Sequence, residues 1–172
     1  MTSYKHALNH ISTFIFDVDG VFTDGKVYLL KDEIVRAFNS KDGYAVQYAA
    51  KMGYKLFAIT GGKSTEVRDR LLDLGMERVY LSAHHKLTCY EEIKQHYQLT
   101  DEEIAYMGDD IPDIPVLKSA GLSACPQDAV SDVKQMVAYQ SPFEGGKNCV
   151  RDIIEQTLRV QGKWMSDQAF EW

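Results

Sequence analysis

Five polar side chains sit where buried strands would run out into loops: Asp17, Asp19, Thr60, Lys86 and Asp109. Phe14-Ile15-Phe16 leads into Asp17-Val18-Asp19, and Leu56-Phe57-Ala58-Ile59 leads into Thr60-Gly61-Gly62. Ile104-Ala105-Tyr106-Met107 leads into Gly108-Asp109-Asp110, and Lys86 opens the helical stretch after a fourth, shorter strand. In an open parallel sheet, ligands bind outside the carboxyl ends of the strands. Any one of these groups alone reads as a solvated loop residue or a helix cap. Together on one sheet edge they read as a site.

The chemistry such a set supports is phosphoryl transfer through an aspartyl-phosphate. A carboxylate can act as nucleophile and form a covalent intermediate. Charge developing on the phosphoryl oxygens calls for a metal ion, an ammonium, and hydroxyl and backbone N–H donors held in place beforehand. Asp17 is the expected nucleophile, and Asp19 the group that protonates the leaving oxygen and later deprotonates the attacking water. Thr60, the backbone at Gly61, and Lys86 would hold the phosphate, and Asp17 with Asp109 would make an oxygen-ligand Mg²⁺ site.

Three other motifs fail on spacing. A calcium loop beginning at Asp17 would place Val21, Phe22 and Tyr28 where a ligand, a glycine and a glutamate are needed. A phosphate-binding loop ending at Gly62-Lys63-Ser64 would need a glycine at Phe57, inside an apolar strand. A receiver domain would carry its acidic pair before the Thr and Lys, whereas Asp109-Asp110 follow both. His84-His85 beside Lys86 are poor partners for a hard cation that prefers oxygen.

The elements that must position these groups follow from pattern. Residues 1–12 form a lead-in helix or arm and 13–17 a strand; 21–38, with turns at Asp24-Gly25 and Lys31-Asp32, form a projecting β-hairpin. Asp42-Gly43 opens a helix that ends at Gly53. Strand and helix then alternate: 55–60, 64–74, 78–81, 87–97, 104–107, 114–120, 122–124, 130–136, 137–139 and 148–160. Strands separated by helical stretches imply βαβ units and an α/β fold, a doubly wound parallel sheet of Rossmann-like type.

The totals fit one domain of 172 residues. A net charge of -6 argues against nucleic acid, which calls for a basic surface. The sequence contains neither a signal-peptide core nor a run long enough to span a membrane. Cys89, Cys125 and Cys149 are odd in number and widely spaced, as expected of reduced thiols in a cytoplasmic protein.

The motifs Asp17-Val18-Asp19-Gly20-Val21, Thr60-Gly61, Lys86 and Gly108-Asp109-Asp110-Ile111-Pro112-Asp113 resemble, in order, those of the haloacid dehalogenase superfamily of phosphatases. The stretches 19–25, 38–43 and 105–110, with Gln161-Gly162-Lys163-Trp164, are similar to its capless family acting on 3-deoxy-D-manno-octulosonate 8-phosphate. The resemblance covers residues 10–164 and implies Mg²⁺-dependent hydrolysis of that sugar-acid phosphate, on the way to lipopolysaccharide. It implies Mg²⁺ held by Asp17, the Asp19 carbonyl and Asp109, with Asp110 and Asp113 in or beside the next layer.

One departure bears on specificity. Many members of the family it resembles carry Arg after the Thr-Gly pair, and a sister activity on a nine-carbon sugar acid phosphate tends to carry Glu, but this chain has Gly62. Gly62 and Arg70 are therefore the candidates for substrate contact; Arg68 and Arg70 point about 200° apart on a helix, so at most one faces the site. Alternatives are a phosphatase for the nine-carbon substrate and a non-catalytic partner of a cytidylyltransferase.

Only 42 residues separate Asp17 from Thr60 and 25 separate Thr60 from Lys86, which leaves no room for a cap domain. Something else must exclude water from the site. Trp164, Met165, Phe170 and Trp172 crowd the last nine residues, a composition suited to an interface. Gly145-Gly146 suits a close backbone approach or a flexible joint. The resemblance implies a homotetramer in which hairpins build a central barrel and a tail, about 162–172, reaches a neighbouring site.

Overall fold

The computed structural model describes residues 4–31 and 33–171; Asp32 and Trp172, both part of the expectations above, lie outside the described residues. After the short lead-in helix α1 (Tyr4–Ala7), its centre is β1 (Thr13–Phe16), buried along its whole length. A strand covered on both faces reads as a continuous apolar run rather than an alternating one. It pairs in parallel with β4 (Lys55–Ile59) on one side and β6 (Ile104–Met107) on the other. β5 (Arg78–Tyr80) extends the first side, and β7 (Leu122–Cys125) with β8 (Tyr139–Gln140) the second. The order β5-β4-β1-β6-β7-β8 reverses direction between β1 and β6. That reversal opens a crevice at their carboxyl ends, where such sheets bind ligands.

Successive side chains alternate between the two faces. Phe14, Phe16, Leu56 and Ala58 enter one core with α2 (Ser40–Lys51), α3 (Thr65–Asp73) and α7 (Cys149–Val160). Ile15, Phe57, Ile59 and Tyr106 enter the other with α4 (Lys86–Tyr97), α5 (Ile114–Leu117) and α6 (Ser131–Lys134). Helices on both faces make the sheet doubly wound, as the alternating pattern implies.

The segment after β1 divides in two. Val21 and Phe22 are buried, because Val21, Phe22 and Thr23 turn their N–H groups back onto the Val18 carbonyl. The ribbon proper pairs β2 (Tyr28–Leu29) with β3 (Ile34–Val35), antiparallel, in the register Tyr28↔Val35 and Leu29↔Ile34. All four residues are exposed, Leu29 at 76%. The chain returns to the sheet through α2, which Asn39 caps by accepting from Lys41 N; Asp42 and Gly43 fall inside its first turn. Asp42 caps a different helix, accepting from Asn148 N at 3.2 Å and Arg151 N at 2.8 Å at the start of α7. Burial pushes its pKa up despite those bonds.

Among the described residues the aromatic tail lies against α2 of its own chain. Tyr44 and Tyr48, one helical turn apart and stacked, supply the reason. Tyr48 donates to the Lys163 carbonyl at 2.7 Å, and Tyr44 donates to the Ala169 carbonyl. Trp164 meets the Tyr48 ring edge-on at 5.4 Å, with the Arg151 and Arg159 guanidiniums over it. Pattern alone assigns both tyrosines to the apolar face of α2, and their hydroxyls are what bind the tail.

Candidate active site

Asp17 stands one residue past β1 and Asp109 two past β6, so adjacent parallel strands bring both into the crevice. Two glycines permit the approach. Gly20 has φ of +87°, and a Cβ there would lie 2.0 Å from Asp109 Oδ2. A Cβ at Gly108 would lie 2.3 Å from the Asp113 carboxyl carbon. Carboxylate oxygens of Asp17, Asp109 and Asp113 consequently lie within 4.8 Å of one another.

Three carboxyl groups crowded into a buried space call for a cation. Lys86, at the first turn of α4 and 8% exposed, places Nζ 3.0 Å from Asp17 Oδ1 and 2.7 Å from Asp113 Oδ1. Asp113 is fully buried and satisfied by its protein partners: Tyr106 O–H donates to Oδ1 at 2.5 Å, and the Asp109 and Asp110 N–H groups donate to Oδ2 at 3.1 and 3.3 Å. Asp113 is the anchor that fixes Lys86 and the β6 loop. Asp110 is exposed and caps Ile111 N with its own carboxylate, outside the three-carboxylate cluster.

Burial, then Asp113, raises the Asp17 pKa to about 8 against the opposing pull of Lys86. Burial, followed by Asp113 and Asp110, raises Asp109 to about 7. Burial depresses Lys86, but the Asp17 and Asp113 carboxylates outweigh it and hold the ammonium above its ordinary pKa. Asp109 Oδ1 is buried and accepts no hydrogen bond from the protein. An orphaned buried carboxylate oxygen facing a second carboxylate fits a hard, oxygen-preferring divalent cation such as Mg²⁺. Asp17 and Asp109 are the side chains that would hold it.

Thr60 follows β4 and is 3% exposed. Its Oγ1 accepts from Gly62 N at 3.0 Å, which leaves the hydroxyl hydrogen to donate elsewhere. Gly61 is exposed, with open space where a Cβ would stand. Gly62 looks toward Asp19: a Cβ there would lie 3.8 Å from both Asp19 Oδ2 and Arg36 Nη2. Beyond it opens a basin of about 1000 Å³ between the ribbon and α3, lined in part by Leu30, Ile34, Arg36, Gly62, Lys63 and Arg70. Arg70 is exposed on that wall.

Arg36 is the site residue that sequence reasoning missed. It follows β3 and forks onto Asp19, Nε to Oδ1 at 2.6 Å and Nη2 to Oδ2 at 3.1 Å. The one available signal is a cation set directly between the apolar Val35 and Ala37. Its partner is set only by how the ribbon folds over the strand ends. The Gly145-Gly146 loop also reaches the site's support: Gly146 N donates to the Val21 carbonyl, and a Cβ at Gly145 would meet Gly20 O at 2.0 Å.

Comparison with known proteins adds to this geometry. The haloacid dehalogenase-like hydrolase family matches residues 41–121. The 3-deoxy-D-manno-octulosonate 8-phosphate phosphatase of Escherichia coli K12 is 34% identical over 155 residues, covering 90% of this chain and 82% of the relative. A crystal structure of the Yersinia pestis phosphatase of the same name superimposes with a TM-score of 0.91 at 32% identity, covering 93% of this chain and 87% of the other. The Moraxella catarrhalis phosphatase, solved with a magnesium ion, a phosphate ion and a KDO molecule, superimposes with a TM-score of 0.90 at 27% identity, covering 94% and 93% of the two chains.

Proposed function

This chain belongs to the family of 3-deoxy-D-manno-octulosonate 8-phosphate phosphatases, among the haloacid dehalogenase-like hydrolases, and from that premise we propose how it hydrolyses this sugar-acid phosphate to free 3-deoxy-D-manno-octulosonate and inorganic phosphate. The observation that carries the reading is Lys86 clamped between Asp17 and Asp113, beside the orphaned oxygen of Asp109. A carboxylate, an ammonium and a cation-binding oxygen facing one small space make a phosphoryl-transfer site.

Asp17 attacks phosphorus, and the bond from phosphorus to the sugar oxygen breaks as the bond to Asp17 forms. Asp19 gives its proton to that oxygen. Water then attacks the aspartyl-phosphate, Asp19 takes a proton from it, and the Asp17 carboxylate is released. The Thr60 hydroxyl, the Gly61 backbone and the Lys86 ammonium hold the transferring phosphoryl oxygens where charge develops. Bound Mg²⁺ would supply charge neutralisation between the phosphate and the Asp17 and Asp109 carboxylates. The sugar lies in the basin beyond Gly62, with Arg70 on its wall.

Gly62 supports one second reading, because the missing side chain leaves room for a longer, nine-carbon sugar acid phosphate. The test of both is kcat/KM for the eight- and nine-carbon substrates side by side, with Mg²⁺ and after EDTA. A preference for the eight-carbon ester of tenfold or more, lost with EDTA and restored by Mg²⁺, is expected. Preference for the nine-carbon ester would transfer the assignment.

The active form is a homotetramer joined through the ribbon, whose exposed Tyr28, Leu29, Ile34 and Val35 are the apolar surface that needs covering. An active 19.5 kDa monomer in light scattering would remove the tetramer. Among the described residues no helix is long and apolar enough to cross a membrane. The three free thiols support a cytoplasmic location for the enzyme.

A further inference from the structure

The Asp19 carboxylate is held from outside the sheet. Arg36 bonds to both of its oxygens, a fork that matches the carboxylate plane and restricts its rotation. The Arg36 side chain is 12% exposed against 36% for Asp19, so the cation is the more deeply seated partner. Among the described residues no other side chain bonds to the Asp19 carboxylate. Gly62 borders the pair directly: a Cβ there would stand in ordinary contact, 3.8 Å, with both members of the fork.

We propose that Arg36 is the positioning residue of the proton-transfer step: it aims the Asp19 carboxyl group at the leaving oxygen and stabilises the carboxylate that remains once the proton has gone. The inference rests on the phosphatase reading of the site. In the first half-reaction the phosphorus–oxygen bond to the leaving group breaks, the bond to Asp17 forms, and one proton passes from Asp19 to the leaving oxygen. Negative charge thus appears on Asp19 as the bond breaks, beside a guanidinium already in place. An interaction that strengthens toward the transition state raises the rate rather than only tightening binding. Because Arg36 touches Asp19 rather than the reacting atoms, its influence should scale with how much the leaving group needs a proton.

The test is a leaving-group series. kcat/KM is measured with Mg²⁺ for wild type, Arg36→Met and Arg36→Lys on aryl and alkyl phosphates, from p-nitrophenyl through phenyl to benzyl phosphate. This constant covers the steps up to departure of the leaving group, so it isolates Asp19 as acid from Asp19 as base. Expected for Arg36→Met is a loss of roughly 10²-fold on phenyl and benzyl phosphates, the size of a general-acid contribution, against less than about threefold on p-nitrophenyl phosphate, which needs no proton. Arg36→Lys, which keeps the charge but not the fork, should recover part of the loss.

A loss that is uniform across the series, or no loss, overturns the proposal. A residue that contacted only the sugar would leave the slope of the series unchanged. Where aryl phosphates turn over too slowly, the same distinction is read on the sugar-acid phosphate in single turnovers. Arg36→Met should cost no further rate in an Asp19→Asn background, and a full additional loss there overturns it. Thermal unfolding checks that each variant is folded; the ribbon is exposed, and its loss of one ion pair leaves both cores intact. A wild type inactive on every phosphate ester tested would instead overturn the phosphatase reading and this inference with it.

Discussion

Asp17→Asn should lose at least about 10⁴-fold in turnover, the scale of removing a nucleophile, while the protein becomes more resistant to heat at alkaline pH without metal. Both effects come from one carboxylate in one place. Burial, then Asp113, raises the folded pKa of Asp17 from 3.8 to about 8. The folded state therefore holds a proton that the unfolded state releases, and the stability this gives is complete below about pH 4 and lost as pH rises through 8. Asparagine carries no such charge and still accepts from Val18 N and Lys86, which both bond to Oδ1. In EDTA the variant should unfold at a higher temperature than wild type at pH 8.5, with the gap closing toward pH 5. Added Mg²⁺ should reverse the order by stabilising the wild type alone. Thermal unfolding at the two pH values, with and without Mg²⁺, reads this. An Asp17→Asn protein that still turns over substrate would sink the mechanism.

Lys86→Met should be the most damaging single change to the fold among the site residues. The lysine is the shared cation of Asp17 and Asp113, whose side chains are 10% and 0% exposed. Removing one member of a buried ion cluster leaves uncompensated charge and costs about 3 to 5 kcal/mol. The unfolding midpoint should fall accordingly, and kcat should drop by roughly 10²- to 10³-fold from the lost phosphoryl donor. Adding Asp113→Asn to the same chain should recover part of the stability but none of the activity, because it removes one orphaned charge without restoring an ammonium. A midpoint unchanged in Lys86→Met would mean that Tyr106 and the two backbone donors suffice to hold Asp113 and that the lysine serves only the substrate.

The central strands and the site at their ends were legible because both come from local pattern. Phe14 to Phe16 and Ile104 to Met107 are apolar runs that could only be buried, and parallel strands place the residues just beyond them on one edge. Asp17, Thr60, Lys86 and Asp109 are thus brought to the same end of the sheet by topology alone. What pattern could not supply was any contact made across the sequence by a side chain of mixed character. Tyr106 reads as a core aromatic, and its hydroxyl proves to be a ligand of Asp113. Asp42 reads as the opening of its own helix, and it caps another more than a hundred residues on. Tyr44 and Tyr48 read as an apolar face, and their hydroxyls bind the tail. In the tyrosines the polar atom is at the far end of an aromatic ring, and in Asp42 the partners are distant in sequence; helical and strand periodicity are silent on both.

The ribbon places a constraint on how this protein can diverge. Arg36 is the next residue after Val35, which pairs with Tyr28 on the exposed apolar surface. A substitution selected for what it does at that surface also displaces the anchor of Asp19, one peptide unit away. The exposed apolar ribbon and the hold on Asp19 are therefore not separate traits on which drift can act independently. Variation in this stretch should be tolerated mainly at Lys31 and Glu33, outside the paired residues, and new partners should be acquired slowly.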